Sequence, residues 1–473
     1  MNPVISAAVD LGASSGRVLV GTCDGLSFVL DEVHRFTNES QRLGTHDYWE
    51  IAGLWNQVLK GLREAKKRYP GLASIGVDTW GVDHVLLDRK GRLVAPCHAY
   101  RDERTGPALQ KLAKAKSQMR ALYQETGIPN LFYNTSLQLA EWVSAHGEAA
   151  PLVARCLLLP DYFNFLLSGR MANEVSIAST SQLLSVREMR WSWKALHHFK
   201  VPPRWFRSPV RAGRVLGQVL PGLELGDARL VVAPGHDTAC AFAAMPACET
   251  GGDLYLSCGT WSLLGFESSL PFVGPEALDA GISNERMGDG RFRPVASVIG
   301  LWILEKALRE LDERPGGAAE WETLLGAASA LPAPPGLLDV ADPMFVNPDS
   351  MVRAIRQHLR SRQLLMPEDL PSLVRLICDS LAAEHARAMR RFEAITRSPF
   401  KRILMVGGGA KNRLLCEATA RACGVPLHAF ELEGSALGNL GCQWVSLGVF
   451  ATQAEFRKLV ARQVTPRVYL PDA

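Results

Sequence analysis

Short hydrophobic runs, separated by glycines, make up the first part of the chain. Residues 5–11, 17–22 and 27–36 are dense in apolar and β-branched side chains, and Gly12 and Gly25 fall between them. Runs of this length bounded by glycine are typical of strands joined by turns. The pattern predicts three successive strands before the first helix.

Helical spacing first appears over residues 51–68, at Ile51, Leu54, Val58, Leu62 and Ala65. Pro70 and Gly71 end this helix, and a buried strand is predicted at 74–78. The alternation continues, with helical periodicity at 157–167 and 371–395 and short apolar runs at 229–233 and 402–406. The chain is therefore expected to have a mixed α/β fold.

The length of 473 residues, with 47% hydrophobic residues, favours two domains over one core. Composition breaks at Pro246, Gly251 and Gly252. We place the boundary there and predict domains over residues 1–246 and 247–473.

Charge and hydropathy argue against two classes of partner. Lys and Arg number 52 against 48 Asp and Glu, a net charge of +4 with no basic block, so nucleic acid is not an expected partner. The nearly uncharged run 254–266 is shorter than the roughly 20 residues that span a bilayer, so no membrane association is expected.

The ten cysteines form no CxxC pair, which favours reduced thiols and a cytoplasmic protein.

Three turns are candidates for phosphate binding. Residues 12–17 and 257–260 follow strand-like runs with small and hydroxyl side chains, and the glycines at 407–409 follow another. Such turns let backbone N–H groups approach phosphate oxygens. The chain has neither a GxxxxGK[ST] loop nor a GxGxxG fingerprint, so any nucleotide is held in another way.

Asp237 is the leading candidate for a catalytic base. An apolar strand ends at Gly235, and His236, Asp237 and Thr238 lead into an apolar helix predicted at 239–244. A carboxylate at a helix N-terminus is stabilised as the anion and can accept a proton from a substrate hydroxyl. The alternative is an ordinary helix-capping Asp, with His236 as either a substrate contact or a positioning group.

Residues 76–83 combine the features of a sugar site. Asp78 can accept hydroxyl hydrogen bonds, Trp80 offers an apolar face and Gly81 leaves room for substrate. Trp80 is equally consistent with a core position.

Several sequence blocks together resemble the FGGY family of carbohydrate kinases over nearly the whole chain. The blocks are VDLGASSGRV (9–18), IGVDTWGVD (75–83), AYRD (99–102), LPDYFNFLLSG (159–169), GHDTA (235–239), LSCGTWSLLGFE (256–267) and VGGGAKN (406–412). The resemblance implies a duplicated ribonuclease-H-like fold of the actin and sugar kinase type, with two lobes and a central cleft. It also implies that residues 1–246 carry the sugar site and the catalytic base and that residues 247–473 carry the nucleotide site.

The resemblance also implies site residues. Asp237 would be the base for a ketose 1-hydroxyl, and Asp10 would hold Mg²⁺ for ATP through water. The remaining implied sugar contacts are Gly81, His236, Thr238 and Ser297, to which the residue pattern at 76–83 adds Asp78 and Trp80. The implied nucleotide contacts are Ala13, Ser14, Ser15, Gly16, Arg17, Thr260, Glu305, Gly408 and Gly409. At two of these positions, Ser297 and Glu305, the resemblance leads us to expect Asn and Gln.

The expected activity is ATP-dependent phosphorylation of the 1-hydroxyl of L-rhamnulose, by a monomer or homodimer. Two alternatives stay open. One is a related kinase for L-fuculose or a pentulose, since hydroxyl stereochemistry is read by contacts that the sequence does not display. The other is a non-enzymatic, actin-like nucleotide switch.

Overall fold

The computed structural model describes residues 2–247 and 251–472, so Cys248 lies outside the described residues. The strands are β1 (Val4–Leu11), β2 (Ser15–Cys23), β3 (Phe28–Thr37), β4 (Ser40–Leu43), β5 (His46–Trp49), β6 (Leu72–Thr79), β7 (His84–Leu87), β8 (Arg155–Leu158), β9 (Asn173–Glu174), β10 (Pro209–Val210), β11 (Val215–Gln218), β12 (Arg229–Val231), β13 (Asp253–Cys258), β14 (Trp261–Gly265), β15 (Ser283–Arg286), β16 (Phe292–Ile299), β17 (Arg402–Val406), β18 (Leu427–Ala429) and β19 (Arg467–Tyr469).

The α-helices are α1 (Ile51–Arg68), α2 (Gly106–Ala113), α3 (Lys116–Thr126), α4 (Thr135–Ala145), α5 (Leu159–Ser168), α6 (Val175–Ser179), α7 (Trp193–His198), α8 (Asp237–Ala244), α9 (Pro275–Asp279), α10 (Trp302–Glu310), α11 (Ala318–Ser329), α12 (Met351–Ser361), α13 (Leu370–Thr396), α14 (Arg413–Cys423), α15 (Gly434–Ser446) and α16 (Gln453–Gln463). Within the described part of the chain, no helix is long and apolar enough to cross a membrane.

Two compact units form. The first comprises Met1–Pro246, Glu267–Pro294 and Gly434–Gln463, and the second comprises Ala247–Phe266, Val295–Glu433 and Val464–Ala473. One boundary between the two units falls after Pro246. Two later segments nevertheless belong to the first unit, because α15 packs on α8 and on strands β1 and β6, and β15 packs on α6.

The two units share one strand order. In the first, the order β3-β2-β1-β6-β12-β11 has β1, β2 and β3 antiparallel, β6 and β12 parallel to β1, and β11 antiparallel to β12. In the second, β16-β14-β13-β17-β18-β19 repeats these directions. This repeat confirms the expected duplicated, ribonuclease-H-like α/β fold.

Most predicted elements appear near their expected bounds. The three N-terminal strands form, and α1 spans the predicted 51–68. The helix predicted over 157–167 is wrong at its start, because Leu157 and Leu158 pair with β7 and α5 begins only at Leu159. The helix predicted from Ala239 begins two residues earlier, at Asp237.

The core of the first unit lies between the sheet and α1. Val9 on β1 and Val77 on β6 are fully buried, as are Val58 and Leu62 on α1. Burying each such side chain contributes roughly 1.5–3 kcal/mol. The nine described cysteines are free and buried, which agrees with the expected reduced thiols.

Helix α15 has a polar face turned to the sheet. Three polar residues spaced four apart lie on this face. Ser435 donates to Asp10 on β1, and Asn439 donates to Asp78 on β6. Gln443 accepts from the Ser74 hydroxyl and donates to the Ala7 carbonyl. The same helix passes so close to α8 that a Cβ on Gly438 would lie 1.8 Å from the Cys240 carbonyl oxygen. The position of α8 therefore depends on a residue without a side chain at 438.

Gly438→Ala is expected to lower stability by about 1–3 kcal/mol, because the added methyl meets backbone that cannot rotate away. Urea unfolding measures the change. The control is Gly326→Ala on α11, where nothing lies within 4 Å of the added Cβ, and we expect a gain of about 0.5–1 kcal/mol there. Equal effects at the two positions would contradict the close helix contact.

Candidate active site

Three adjacent parallel strands of the first unit bring polar side chains to one sheet edge. Asp10 near the end of β1 is paired in register with Asp78 of β6. Thr79, next along β6, forms a bridge with His236, which follows β12 and precedes Asp237. Carboxyl ends of neighbouring parallel strands are where ligands bind in open α/β sheets, so this edge is the candidate active site.

Arg17 and Ser435 fix the Asp10 carboxylate. The Oδ2 atom of Asp10 accepts hydrogen bonds from Arg17 Nε (2.9 Å) and Nη2 (2.7 Å) and from Ser435 Oγ (2.6 Å). Arg17 lies opposite Asp10 in the β1–β2 register. Arg17, which is predicted to contact the nucleotide, therefore bonds to Asp10, which is predicted to hold the metal.

Asp78 is fully buried, not open to a pocket. Its Oδ2 accepts a bond from Asn439 Nδ2 at 2.6 Å, and its Oδ1 has no hydrogen-bond partner within the described residues. Burial, followed by the charge of Asp10, raises the pKa of Asp78 well above its usual value. The prediction of Asp78 as a sugar contact is not supported by this burial, because α15 covers the carboxyl group.

Asp237 keeps an accessible carboxylate at the first position of α8. Its Oδ1 accepts bonds from the backbone N–H and the hydroxyl of Thr238, the latter at 3.0 Å, and 29% of the side chain is exposed. Burial of the remainder raises the pKa of Asp237, whereas His236 lowers it and the Asp10 charge raises it again. Thr238 orients the carboxylate, and His236 rather than Asp237 occupies the cap position.

His236 connects Asp237 to a buried ion pair. Its Nδ1 lies 2.7 Å from Arg293 Nη2 and 3.1 Å from Glu285 Oε2, and its Nε2 lies 3.4 Å from Asp237 Oδ1. Because a guanidinium only donates, Nδ1 accepts from Arg293 and the proton is assigned to Nε2. A Cβ on Gly81 would lie 3.3 Å from that Nε2, so the predicted neighbours Gly81 and His236 are brought together.

Glu285 and Arg293 are residues that the sequence analysis missed. Arg293 is fully buried and forms an ion pair with Glu285. Burial alone would raise the pKa of Glu285, but the charge of Arg293 brings it below its usual value. No motif marks these two residues, because they contact His236 from 49 and 57 positions away.

Trp80 is a core residue. Its ring packs on Trp49 with centroids 4.4 Å apart, and its Nε1 donates to Asp83 Oδ2 at 2.9 Å. Trp49 donates to the same oxygen, while burial raises the pKa of Asp83 to about 6. Trp80 is only 5% exposed, so the core interpretation is favoured over a sugar-stacking one.

Few residues in the turn after β1 are accessible to a ligand. Gly12 N–H donates to the Ser15 carbonyl at 2.8 Å, and Ser14 is exposed at the tip with Ala13 half-buried. A Cβ on Gly16 would lie 2.3 Å from the Phe36 ring, so this glycine permits packing and is not open to a ligand. Of the predicted phosphate contacts here, Ala13 and Ser14 are the more accessible.

The candidate nucleotide residues of the second unit lie on two adjoining strand ends. Thr260, in the turn after β13, accepts bonds from the N–H groups of Gly300 (3.0 Å) and Trp302 (3.3 Å) through its carbonyl. β13 runs parallel to β17, with Ser257 paired to Val406. The turns that follow these strands are therefore neighbours.

The glycines after β17 have separate roles. Gly407 has a φ of 89°, and a Cβ there would lie 2.6 Å from the Cys258 carbonyl oxygen. Gly409 is packed against the Cys258 side chain, whereas nothing lies within 4 Å of a Cβ on Gly408. Only Gly408 leaves open space for a ligand, and Asn412 then caps α14 by accepting from Leu415 N–H at 3.0 Å.

The two residues that depart from the family pattern occupy different settings. Ser297 is exposed on β16, opposite Leu263 of β14. Glu305 lies in the first turn of α10, where Arg314 (2.9 Å) and Arg309 (3.8 Å) compensate its charge. The surroundings of Glu305 therefore carry less net negative charge than the sequence alone indicates.

A divalent cation fits the electrostatics of the first unit. The charge of Asp10 raises the pKa of both Asp78 and Asp237, so negative potential is in excess there. Among residues 2–247 and 251–472, no cluster of three His, Cys, Asp or Glu side chains could hold a metal alone. Mg²⁺ commonly binds through one or two carboxylates, waters and substrate phosphates, which suits Asp10.

Comparisons with known proteins agree with this arrangement. Models of the FGGY family of carbohydrate kinases match residues 5–243 with the N-terminal domain and residues 254–447 with the C-terminal domain. The chain belongs to this family. It is accordingly an enzyme, a sugar kinase, and the alternative of a non-enzymatic nucleotide switch is not supported.

Individual relatives are similar over nearly their whole length. A protein of Pectobacterium carotovorum named Rhamnulokinase is 37% identical, over 98% of this chain and 93% of its own. A Rhamnulokinase of Klebsiella pneumoniae is also 37% identical, over 98% and 94%. The gluconate kinase structure from Lactobacillus acidophilus has a TM-score of 0.79 at 14% identity, covering 99% of this chain and 94% of its own, which shows the fold alone.

Removing either partner of the buried pair is expected to destabilise strongly. Glu285→Gln or Arg293→Met should each lower the free energy of unfolding by about 3–5 kcal/mol, because one charge stays buried without its partner. The double variant should lose much less than the sum.

Urea unfolding of the single and double variants measures this coupling. The control pair is Glu32 and Arg35 on β3, which is largely exposed and should couple by less than about 0.5 kcal/mol. If the double variant lost as much free energy of unfolding as the two single variants together, Glu285 and Arg293 would not compensate each other's charge.

Proposed function

We propose that the protein transfers the γ-phosphoryl group of ATP to the 1-hydroxyl of L-rhamnulose, giving L-rhamnulose 1-phosphate and ADP, in L-rhamnose catabolism. The observation that carries the proposal is the accessible Asp237 carboxylate, oriented by Thr238 and His236 in a sugar kinase fold. The choice of sugar is supported by the full-length similarity to proteins named Rhamnulokinase.

Asp237 would act as general base toward the sugar hydroxyl. Its Oδ1 is engaged by Thr238, and the carboxylate remains partly exposed for a substrate proton. The Nε2–H of His236 faces both this carboxylate and Gly81, where a sugar hydroxyl or the carboxylate itself can accept it. Phosphoryl transfer needs mainly positioning and charge neutralisation, so one oriented carboxylate suffices as the base.

The nucleotide would be held by backbone-rich turns. In the first unit these are the residues around Ala13 and Ser14, and in the second they are the turns at Thr260 and Gly408. Asp10 would hold Mg²⁺ through water, and the ion would neutralise phosphate charge when bound. Gly408 supports this assignment because nothing lies within 4 Å of its missing side chain.

Further properties remain predictions. We also propose the cytoplasm as location, a monomeric or homodimeric state, and Ser297 as a sugar contact. Ser297 is exposed, and its side chain reaches less far than the Asn that the family resemblance leads us to expect.

ADP release by the purified protein with Mg²⁺ and ATP tests the substrate. We expect strong stimulation by L-rhamnulose and weaker stimulation by L-fuculose, L-xylulose, D-xylulose, D-ribulose and glycerol, because a missing or inverted hydroxyl leaves buried polar groups unpaired. Preference for another ketose would overturn the choice of sugar. The absence of stimulation by every sugar would overturn the proposed activity.

A further inference from the structure

An arginine-rich groove lies in the first unit, and none of the candidate active-site residues lines it. The groove has a volume of about 1250 Å³ and is formed by the turn after β7, the start of β8, the segment after α5, and residues 204–216. Six arginines line it, and we name them the groove arginines: Arg89, Arg155, Arg170, Arg204, Arg207 and Arg214.

The positive charge of this groove is not compensated by the protein. Asp88 is the one acidic lining residue, and its carboxylate already accepts bonds from Arg92 and from the backbone of the same turn. No groove arginine forms an ion pair with an acidic side chain in the described part of the chain. Like charges gathered in this way raise the free energy of the folded state until an anion binds.

The groove is built on fixed backbone. Arg155 Nη1 donates to the carbonyls of Ala154 (2.6 Å) and Arg204 (3.2 Å), which joins two of its walls. Arg207 N–H donates to Asn173 Oδ1 at 3.1 Å, next to the β9–β10 pairing. The Arg170 guanidinium lies against Gly217, because a Cβ there would be 3.2 Å from its Cζ. The groove arginines therefore line a groove whose walls are held in place.

We propose that this groove is a second binding site, for a small molecule with two or more phosphoryl groups. Guanidinium groups bind phosphate oxygens in pairs, with planar geometry that matches the anion. The volume exceeds what one phosphate needs, and arginines on several chain segments can engage phosphoryl groups that lie apart. Nucleic acid is a poorer fit, because the net charge of +4 is spread along the chain without a basic block.

Isothermal titration calorimetry on the full chain, at fixed ionic strength, tests the proposal. Pyrophosphate serves as an inorganic probe and glucose 1,6-bisphosphate as an organic one. We expect at least one probe to bind at least about tenfold more weakly to the variant Arg204→Gln, Arg207→Gln, Arg214→Gln, because three charge-assisted contacts are removed. The probe that binds more tightly shows whether the groove prefers an inorganic or an organic phosphoryl ligand.

The matched control is Arg353→Gln, Arg356→Gln, Arg360→Gln on the exposed face of α12, which removes the same charge. This control should bind the probes as the unmodified chain does. The ligand-free groove variant should also unfold at an equal or higher temperature, because repulsion is relieved. If that variant fails to fold, Arg89→Gln alone must still weaken binding.

Three results would overturn the proposal. They are undetectable binding of both probes to the unmodified chain, unchanged binding in the groove variant, and equal weakening in the groove and α12 variants. The last would show that net charge alone attracts the anions.

Discussion

Negative charge crowded at one sheet edge is the constraint on which the first unit depends. Asp10, Asp78 and Asp237 come together because three parallel strands end there, and the charge of Asp10 disfavours ionisation of the other two. Such a cluster is tolerated only where partners compensate it. Arg17 and Ser435 donate hydrogen bonds to Asp10, and Asn439 donates one to Asp78.

These partners explain why a distant segment belongs to the first unit. Helix α15 supplies Ser435 and Asn439 from one face and approaches α8 at Gly438. The helix thereby secures the carboxylates on the sheet and the position of α8 together. Of the three carboxylates, Asp237 is left most accessible, and its orientation rests on Thr238 and on the His236, Glu285 and Arg293 network.

Local features of this arrangement could be predicted from the sequence. Helix α1 follows directly from apolar spacing, and the change from strand to helix near Asp237 follows from the residues around it. Glu285, Arg293, Ser435 and Asn439 could not be found in the same way. Each contacts its partner across 49 to 425 positions, and no periodicity or turn residue marks it.

The same limit explains the two sugar-site predictions that burial does not support. Asp78 and Trp80 sit in a polar block that resembles a binding motif, but the contacts that cover them come from α15 and from Trp49. The groove arginines are likewise spread over several segments, and only the fold gathers them. Chemistry that depends on long-range packing is visible in the structure alone.

The role of Asp237 as the base is tested most directly by Asp237→Asn, with Asp279→Asn on the exposed end of α9 as the control. The measurement is sugar-dependent turnover together with the dissociation constant of ADP. We predict that turnover falls by a factor on the order of 100 to 10,000 in Asp237→Asn, while ADP binding and the control stay near the unmodified values. Near-normal turnover in Asp237→Asn would contradict the assignment of this carboxylate as the general base.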